Sequence, residues 1–247
     1  MNRLISCFAL VSLLFFQSAV GAAEEQKSPY SGELKLGFSK LTGNVETESL
    51  AYGVKLKYAP ENSPNSITFK LDVDEAEQSG FTYQDHMEAS LLDIYKLNDV
   101  SSLYLKASYK EDPIRLIQNE TDIGAGYLHT WVNSGGKSFT TRLGVQFRES
   151  EFAIVDHALD DSRQFALFGF RGGLPIMENI YLSSEFNWQS NVSDSEDYET
   201  NFSVALSFKV NEKVNISIYY KTVYDNLPVT GVKDTDEILS TNIQYNF

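Results

Sequence analysis

One cysteine, Cys7, and six prolines are all that 247 residues contain of either type. A lone thiol cannot close an internal disulfide, and it cannot assemble a thiolate metal site. Basic residues are scarce as well. Lys and Arg total 20 against 34 Asp and Glu, a formal net charge of −14. Phosphate-backbone binding needs a basic footprint, so no nucleic-acid partner is expected. Beyond the N-terminus long apolar runs are missing. The longest, FALFGF around residues 165 to 170, falls far short of the ~20 residues a spanning helix needs, which excludes a helical membrane protein.

The N-terminus is the exception. MNRLISCFALVSLLFFQSAVGAA carries Arg3 near its start, an apolar stretch from Phe8 to Phe16, and small residues at its end. This three-part pattern predicts a secretory signal peptide over residues 1–23, cleaved after Sec-type export. The apolar stretch is too short for a membrane anchor. Leu4-Ile5-Ser6-Cys7 has the look of a lipidation box but precedes the apolar stretch, so lipidation is rejected. Cys7 leaves with the leader. Residues 24–247 are then one domain.

That domain alternates apolar and polar residues almost throughout, the period of a β-strand. Twelve strands are predicted, near 31–42, 47–59, 66–75, 83–97, 101–110, 120–133, 138–149, 163–174, 179–190, 199–210, 214–225 and 237–247. Short turn-like joints such as LNDV, NSGGK and NEK alternate with mostly longer ones such as DEAEQSGFTYQ, EDPIRLIQNE and ESEFAIVDHALDDS. TGNVE is a short exception among the latter. Short turns on one rim and long loops on the other are the layout of an outer-membrane barrel. An even strand count puts both termini on the short-turn side.

One face of the clear strands is uncharged: Leu34, Leu36 and Phe38, or Leu239, Thr241, Ile243, Tyr245 and Phe247. The other is polar and carries Glu33, Lys35, Lys55, Lys57, Lys70, Asp72, Lys106, Arg142, Lys209 and Lys221. Less regular strands add Asp122, Arg148, Glu185 and Glu199. Alternation alone leaves a soluble sandwich open. Strand length favours the membrane: several strands reach ten residues or more, near the 9–11 that cross a bilayer. The fold expected is an all-β antiparallel transmembrane barrel of about twelve strands, its apolar face on lipid and its last strand paired with its first. Two stretches resist. In YQDHMEASLLDIYKL, either Asp93 faces lipid or the register slips at Leu91-Leu92. In SRQFALFGFRGGL, both faces are apolar, so a bulge or an inward-packed plug is needed.

Little here points to catalysis. His157 sits beside Asp156 in a long loop, the raw material of an Asp/His hydrolase at the outer rim. Such acidic loops are more often simply solvated. His129, beside Trp131, fits an interfacial aromatic belt. His86 fits the outer end of the lumen. A barrel phospholipase would need His-x-Ser on a lipid-facing edge, and no His-x-Ser occurs. The mixed charges of the second face can line a narrow solute path or neutralise one another in a filled interior. Lysines and acids are not separated along the chain, which weighs against a dedicated anion pore. The acidic loops could approach lipopolysaccharide through divalent cations, but no loop has EF-hand spacing.

GFSKLTGN at the first hairpin, ASYKEDPI at 107–114, DIGAGYLHTW at 122–131 and the aromatic last strand together resemble the salt-induced outer-membrane protein family, domain-of-unknown-function family 481 (YdiY-like). The resemblance covers essentially the whole mature chain. It implies a barrel in the outer membrane of a Gram-negative bacterium, inserted by the barrel assembly machinery, with no defined activity. Phe247, with Tyr245, resembles the terminal signal that machinery reads. The expectation is a monomeric, non-enzymatic barrel in contact with the bilayer and lipopolysaccharide, with no cofactor and no resident metal. Its leading function is a narrow channel for small polar solutes. The alternatives are a structural or stress-adaptation barrel with a blocked lumen, and a surface hydrolase at the extracellular rim.

Overall fold

The computed structural model describes residues 28–42, 47–78, 81–154 and 161–247. The expected leader and His157 lie outside them. The described chain forms twelve strands: β1 (Tyr30–Thr42), β2 (Thr47–Tyr58), β3 (Asn65–Gln78), β4 (Phe81–Lys96), β5 (Ser101–Asp112), β6 (Ile117–Ser134), β7 (Lys137–Phe152), β8 (Ser162–Met177), β9 (Ile180–Asn191), β10 (Tyr198–Lys209), β11 (Val214–Asp225) and β12 (Thr235–Asn246). A 3₁₀ turn, Pro113–Arg115, interrupts the β5–β6 connection. Each strand pairs antiparallel with its chain neighbour, and β12 pairs with β1, closing a barrel. No edge is left for another chain to extend.

The barrel is inside out. Leu36, Phe38, Leu105, Ile123, Val145 and Ile243 all point outward and are half or more exposed. A soluble protein would bury this set; a bilayer accepts it. Aromatic residues rim the band. At the short-turn end His129 lies 4.4 Å from the ring of Trp131, edge-on, and 6.2 Å from that of Tyr127, which is the belt position expected of it. At the other end outward tyrosines turn their hydroxyls to glutamates: Tyr109 donates to Glu111 at 2.7 Å and Tyr220 to Glu237 at 2.5 Å. Those glutamates mark where the apolar surface gives way to water.

The seam explains the aromatic C-terminus. The Phe247 N–H donates to the Gly32 carbonyl at 3.0 Å, and Gly32 returns the bond at 2.9 Å. The tip of the Phe247 ring lies over Gly32, where a Cβ would stand 2.2 Å from ring carbon Cζ. Glycine at the seam thus gives the terminal aromatic its seat.

Both irregular stretches are now placed. Asp93 pairs with Ile67 and Leu105 in an unbroken register, so it faces outward, with Oδ1 buried and unbonded. In β8 the register likewise runs unbroken from Ser162 to Gly173, so no bulge divides FALFGF. Phe165 and Leu167 point inward instead, opposite Gln146 and Gly144. The long joints differ from expectation. DEAEQSGFTYQ is nearly all strand, with β3 reaching Gln78 and β4 starting at Phe81. β5 and β6 absorb most of EDPIRLIQNE. Acidic residues read as loop because strands in water tolerate charge on both faces; above the apolar band the hairpins simply continue.

Candidate functional site: a charge-sorted lumen

Inward-facing residues follow from parity, since every second side chain of a strand points to the axis. On β3 these are Lys70, Asp72 and Asp74, read from the short-turn end outward. On β5 they are Lys106, Ser108, Lys110 and Asp112; on β7, Arg142, Gln146, Arg148 and Ser150; on β11, Tyr219, Lys221 and Asp225. On β3, β5 and β11 the order repeats: cations first, acids farther out; the inward charges of β7 are arginines only. On these strands charges interleaved in the chain are partly sorted along the barrel axis, although Glu33 stands opposite Lys55 and Glu185 opposite Arg171.

At the long-loop end the charges are buried and paired. Arg148, 4% exposed, sends Nε to Asp122 at 2.8 Å and NH1 to Glu199 at 2.6 Å, with Glu120 at 3.5 Å. Lys110 meets Glu120 at 3.1 Å. Arg163 meets Asp197 at 3.3 Å. Phe165, fully buried, lies under both guanidinium groups, 4.8 Å from Arg148 and 5.5 Å from Arg163. Cation–π contacts of this kind gain strength where water is excluded. Asp122 also accepts from Gln146 at 2.8 Å. His86 Nδ1 lies 3.6 Å from Asp112 at this end of the lumen, where it was expected.

The 3₁₀ turn completes this closure. Asp112 caps it by accepting from the Arg115 N–H at 3.2 Å, and Leu116 ends it in the left-handed region at φ 57°. That geometry sends Arg115 across the barrel, where NH2 reaches Asp225 at 2.6 Å and Nε lies 3.9 Å from Asp236. Burial works against the Arg115 charge; Glu199 and Asp225 outweigh it and hold its pKa above the ordinary value. One turn between β5 and β6 is thus strapped to β11 and β12.

The other half differs. Lys55 and Lys57 are exposed, and the Lys70 side chain is 53% exposed. Asp72 is shared between Lys35 and Lys70, the latter at 2.5 Å. Arg142 donates to Asn187, a neutral partner, at 2.5 Å, while Asn187 donates to Glu185 at 2.9 Å. Arg142 Nε is buried without a hydrogen-bond partner. Among the described residues Lys55, Lys57, Lys106, Arg171 and Lys221 have no carboxylate at ion-pair distance. Lys209 faces inward by register, but its amine pairs with Glu212 of the next turn at 2.8 Å, at the extreme short-turn rim. A cavity of about 360 Å³ runs along the lumen, bordered on its inner side by Lys70, Glu88, Lys106, Arg142, Glu185 and Lys221 and, toward the long-loop end, by Asp122 and the paired Glu120, Arg148, Glu199 and Arg115.

The structure therefore brings Lys70, Lys106, Asp122, Arg142, Glu185 and Lys221 to one chamber. Lys35 and Asp72 stand beside it, Lys55 and Lys57 nearer the short-turn mouth, and Lys209 apart. Sequence reasoning missed Lys110, Glu120, Glu88 and Arg163, and it missed Arg115, Asp197, Asp225 and Asp236. The first group was within reach by parity alone, since all four lie inside the strands expected at 83–97, 101–110, 120–133 and 163–174. Arg115 and Asp197 sit in connections, where no periodicity announces a direction. The described residues hold no cluster of three or more His, Cys, Asp or Glu able to bind a metal.

Among solved structures, the NanC porin aligns with a TM-score of 0.58 at 10% identity, covering 86% of this chain and 98% of that one. The translocator domain of the autotransporter NalP from Neisseria meningitidis aligns with a TM-score of 0.54 at 11% identity, covering 100% and 95%. At such identities the likeness is one of fold. No curated protein matches in sequence. A family model described as protein of unknown function, DUF481, matches residues 34–247, so the chain belongs to that family.

Proposed function

We propose that this barrel is a narrow channel of the Gram-negative outer membrane for small polar solutes, closed at its outer mouth in the state described. The short turns then face the periplasm and the long hairpins the exterior. A leader at 1–23, export, insertion by the barrel assembly machinery and a monomer contacting lipopolysaccharide belong to the same proposal. One observation carries it: buried ion pairs crowd only the outer part of the lumen, above a polar chamber in which cations outnumber carboxylates. A barrel built merely to be filled would pair its charges along its whole length, since an unpaired charge in a confined lumen is costly. Here the costly arrangement lies only where water enters.

Planar-bilayer recording tests this. Wild-type protein should show small, infrequent openings. Arg115→Ala, which unstraps the 3₁₀ turn, should open more often and wider. If both stay silent at every voltage while folded, the lumen is blocked and the structural-barrel alternative stands.

A further inference from the structure

Lys70, Lys106 and Lys221 come from β3, β5 and β11, yet all three lie within electrostatic range of one carboxylate, Glu88 on β4. Lys70 is already bonded to Asp72. Lys106 and Lys221 have no ion-pair partner among the described residues. Arg142, bordering the same cavity, bonds a neutral amide and keeps a buried Nε free. Four carboxylates, Asp72, Asp74, Glu88 and Glu185, face five cations, Lys35, Lys70, Lys106, Arg142 and Lys221, so positive charge is in excess in a confined space where charge interacts strongly. The deficit has to be met from solution. The cavity that these residues share with the outer network, about 360 Å³, has the volume of a small-molecule site.

The way in is one-sided. Outward from the chamber stand the buried Arg148 and Arg163 networks, and beyond them an acidic rim that includes Asp194, Glu196 and Asp234. An anion from the exterior meets repulsion and then a seal. An anion from the periplasm meets Lys55 and Lys57, exposed at the mouth, with Glu33 opposite Lys55 the carboxylate it must pass. We infer that the chamber between Lys70, Lys106, Arg142 and Lys221 binds a small multivalent anion, bearing carboxylate or phosphate groups, that enters from the periplasmic side. This deepens the channel reading by naming its solute class, and it rests on that reading for the route.

Titration calorimetry on the detergent-folded barrel tests the site, with citrate and pyrophosphate as probes and glucose as the neutral control. Both anions should bind and glucose should not. Lys106→Gln/Lys221→Gln should weaken binding by about tenfold or more, while the charge-preserving Lys106→Arg/Lys221→Arg should stay within a few-fold of wild type. Glu88→Gln should tighten binding, an outcome that damage to the fold would not produce. Lys213→Gln, in an exposed turn, should change nothing. Absence of anion binding, binding indifferent to the double glutamine variant, or equal binding of glucose overturns the inference. In bilayers, citrate should reduce the current from the periplasmic side only; equal block from either side overturns the route. A barrel that binds citrate but never conducts keeps the site and loses the channel. One that conducts without binding loses the site alone.

Discussion

Removing Arg148 leaves Glu120, Asp122 and Glu199 facing one another in a space where Arg148 itself is 4% exposed. Breaking a buried pair in this way costs about 3–5 kcal/mol. Arg148→Ala should therefore lower the urea midpoint of the folded barrel. It should also raise conductance, because Phe165 loses one of its two guanidinium lids. Arg148→Lys should recover part of the stability and little of the seal, since an ammonium cannot span Asp122 and Glu199 with fixed geometry. Equilibrium unfolding and single-channel amplitude read the two effects separately. At this scale Arg148 was legible from the sequence as a lumen residue by parity, although it was read among the less regular positions. Its partners on β6 and β10 were legible too, by parity. Arg115 was not: a residue in a 3₁₀ turn takes its direction from the cap at Asp112 and the left-handed Leu116, and no period encodes either.

The β6–β7 hairpin turns on Gly135 and Gly136, at φ 60° and 74°. Two consecutive positive φ values make the two-residue turn whose twist matches that of the flanking strands. An L-residue in this region costs about 1–2 kcal/mol, less for Asn. Gly135→Val/Gly136→Val should slow refolding and lower stability by a few kcal/mol, whereas Gly135→Asn should be nearly neutral; refolding kinetics in detergent distinguish them. Such turns are written in the sequence, and NSGGK announced this one. Strand ends were less visible. β3 and β6 run past their expected limits because acidic residues suppress the strand signal, yet outside the bilayer nothing penalises charge on either face. Asp93 is the reverse case. It breaks an otherwise apolar face between Ile67 and Leu105 without a shift in register, and nothing in the structure offers its Oδ1 a donor.

For the molecule as a whole, the outward apolar band makes stability depend on an amphiphile. Leu36 lies near the middle of that band, paired with Ile243 and Tyr52 and 52% exposed. Leu36→Arg should destabilise the folded barrel in bilayers by about 2–4 kcal/mol, the cost of a guanidinium at mid-membrane. The same change at Gly53 would place its charge in the lumen, so a comparison needs a roomier inward site such as Ser203. Vesicle-based unfolding titrations of Leu36→Arg and Ser203→Arg should show the asymmetry. The barrel and its two faces were legible from alternation; the axial sorting of charge was not. Sorting depends on the stagger that strand pairing imposes, so residues near one another in sequence part company in height, while Lys70 and Lys221 meet.

Because Cys7 is the only cysteine, a single cysteine introduced into Cys7→Ser protein reports accessibility cleanly. Ser203→Cys lines the chamber beside Lys221, and Ser150→Cys lies within the buried outer network. A membrane-impermeant thiol reagent applied to oriented proteoliposomes should label Ser203→Cys from the periplasmic side, hardly from the exterior, and should leave Ser150→Cys almost untouched from both. Equal labelling of Ser203→Cys from the two sides, or none from the periplasm, would contradict a lumen sealed outside and open within.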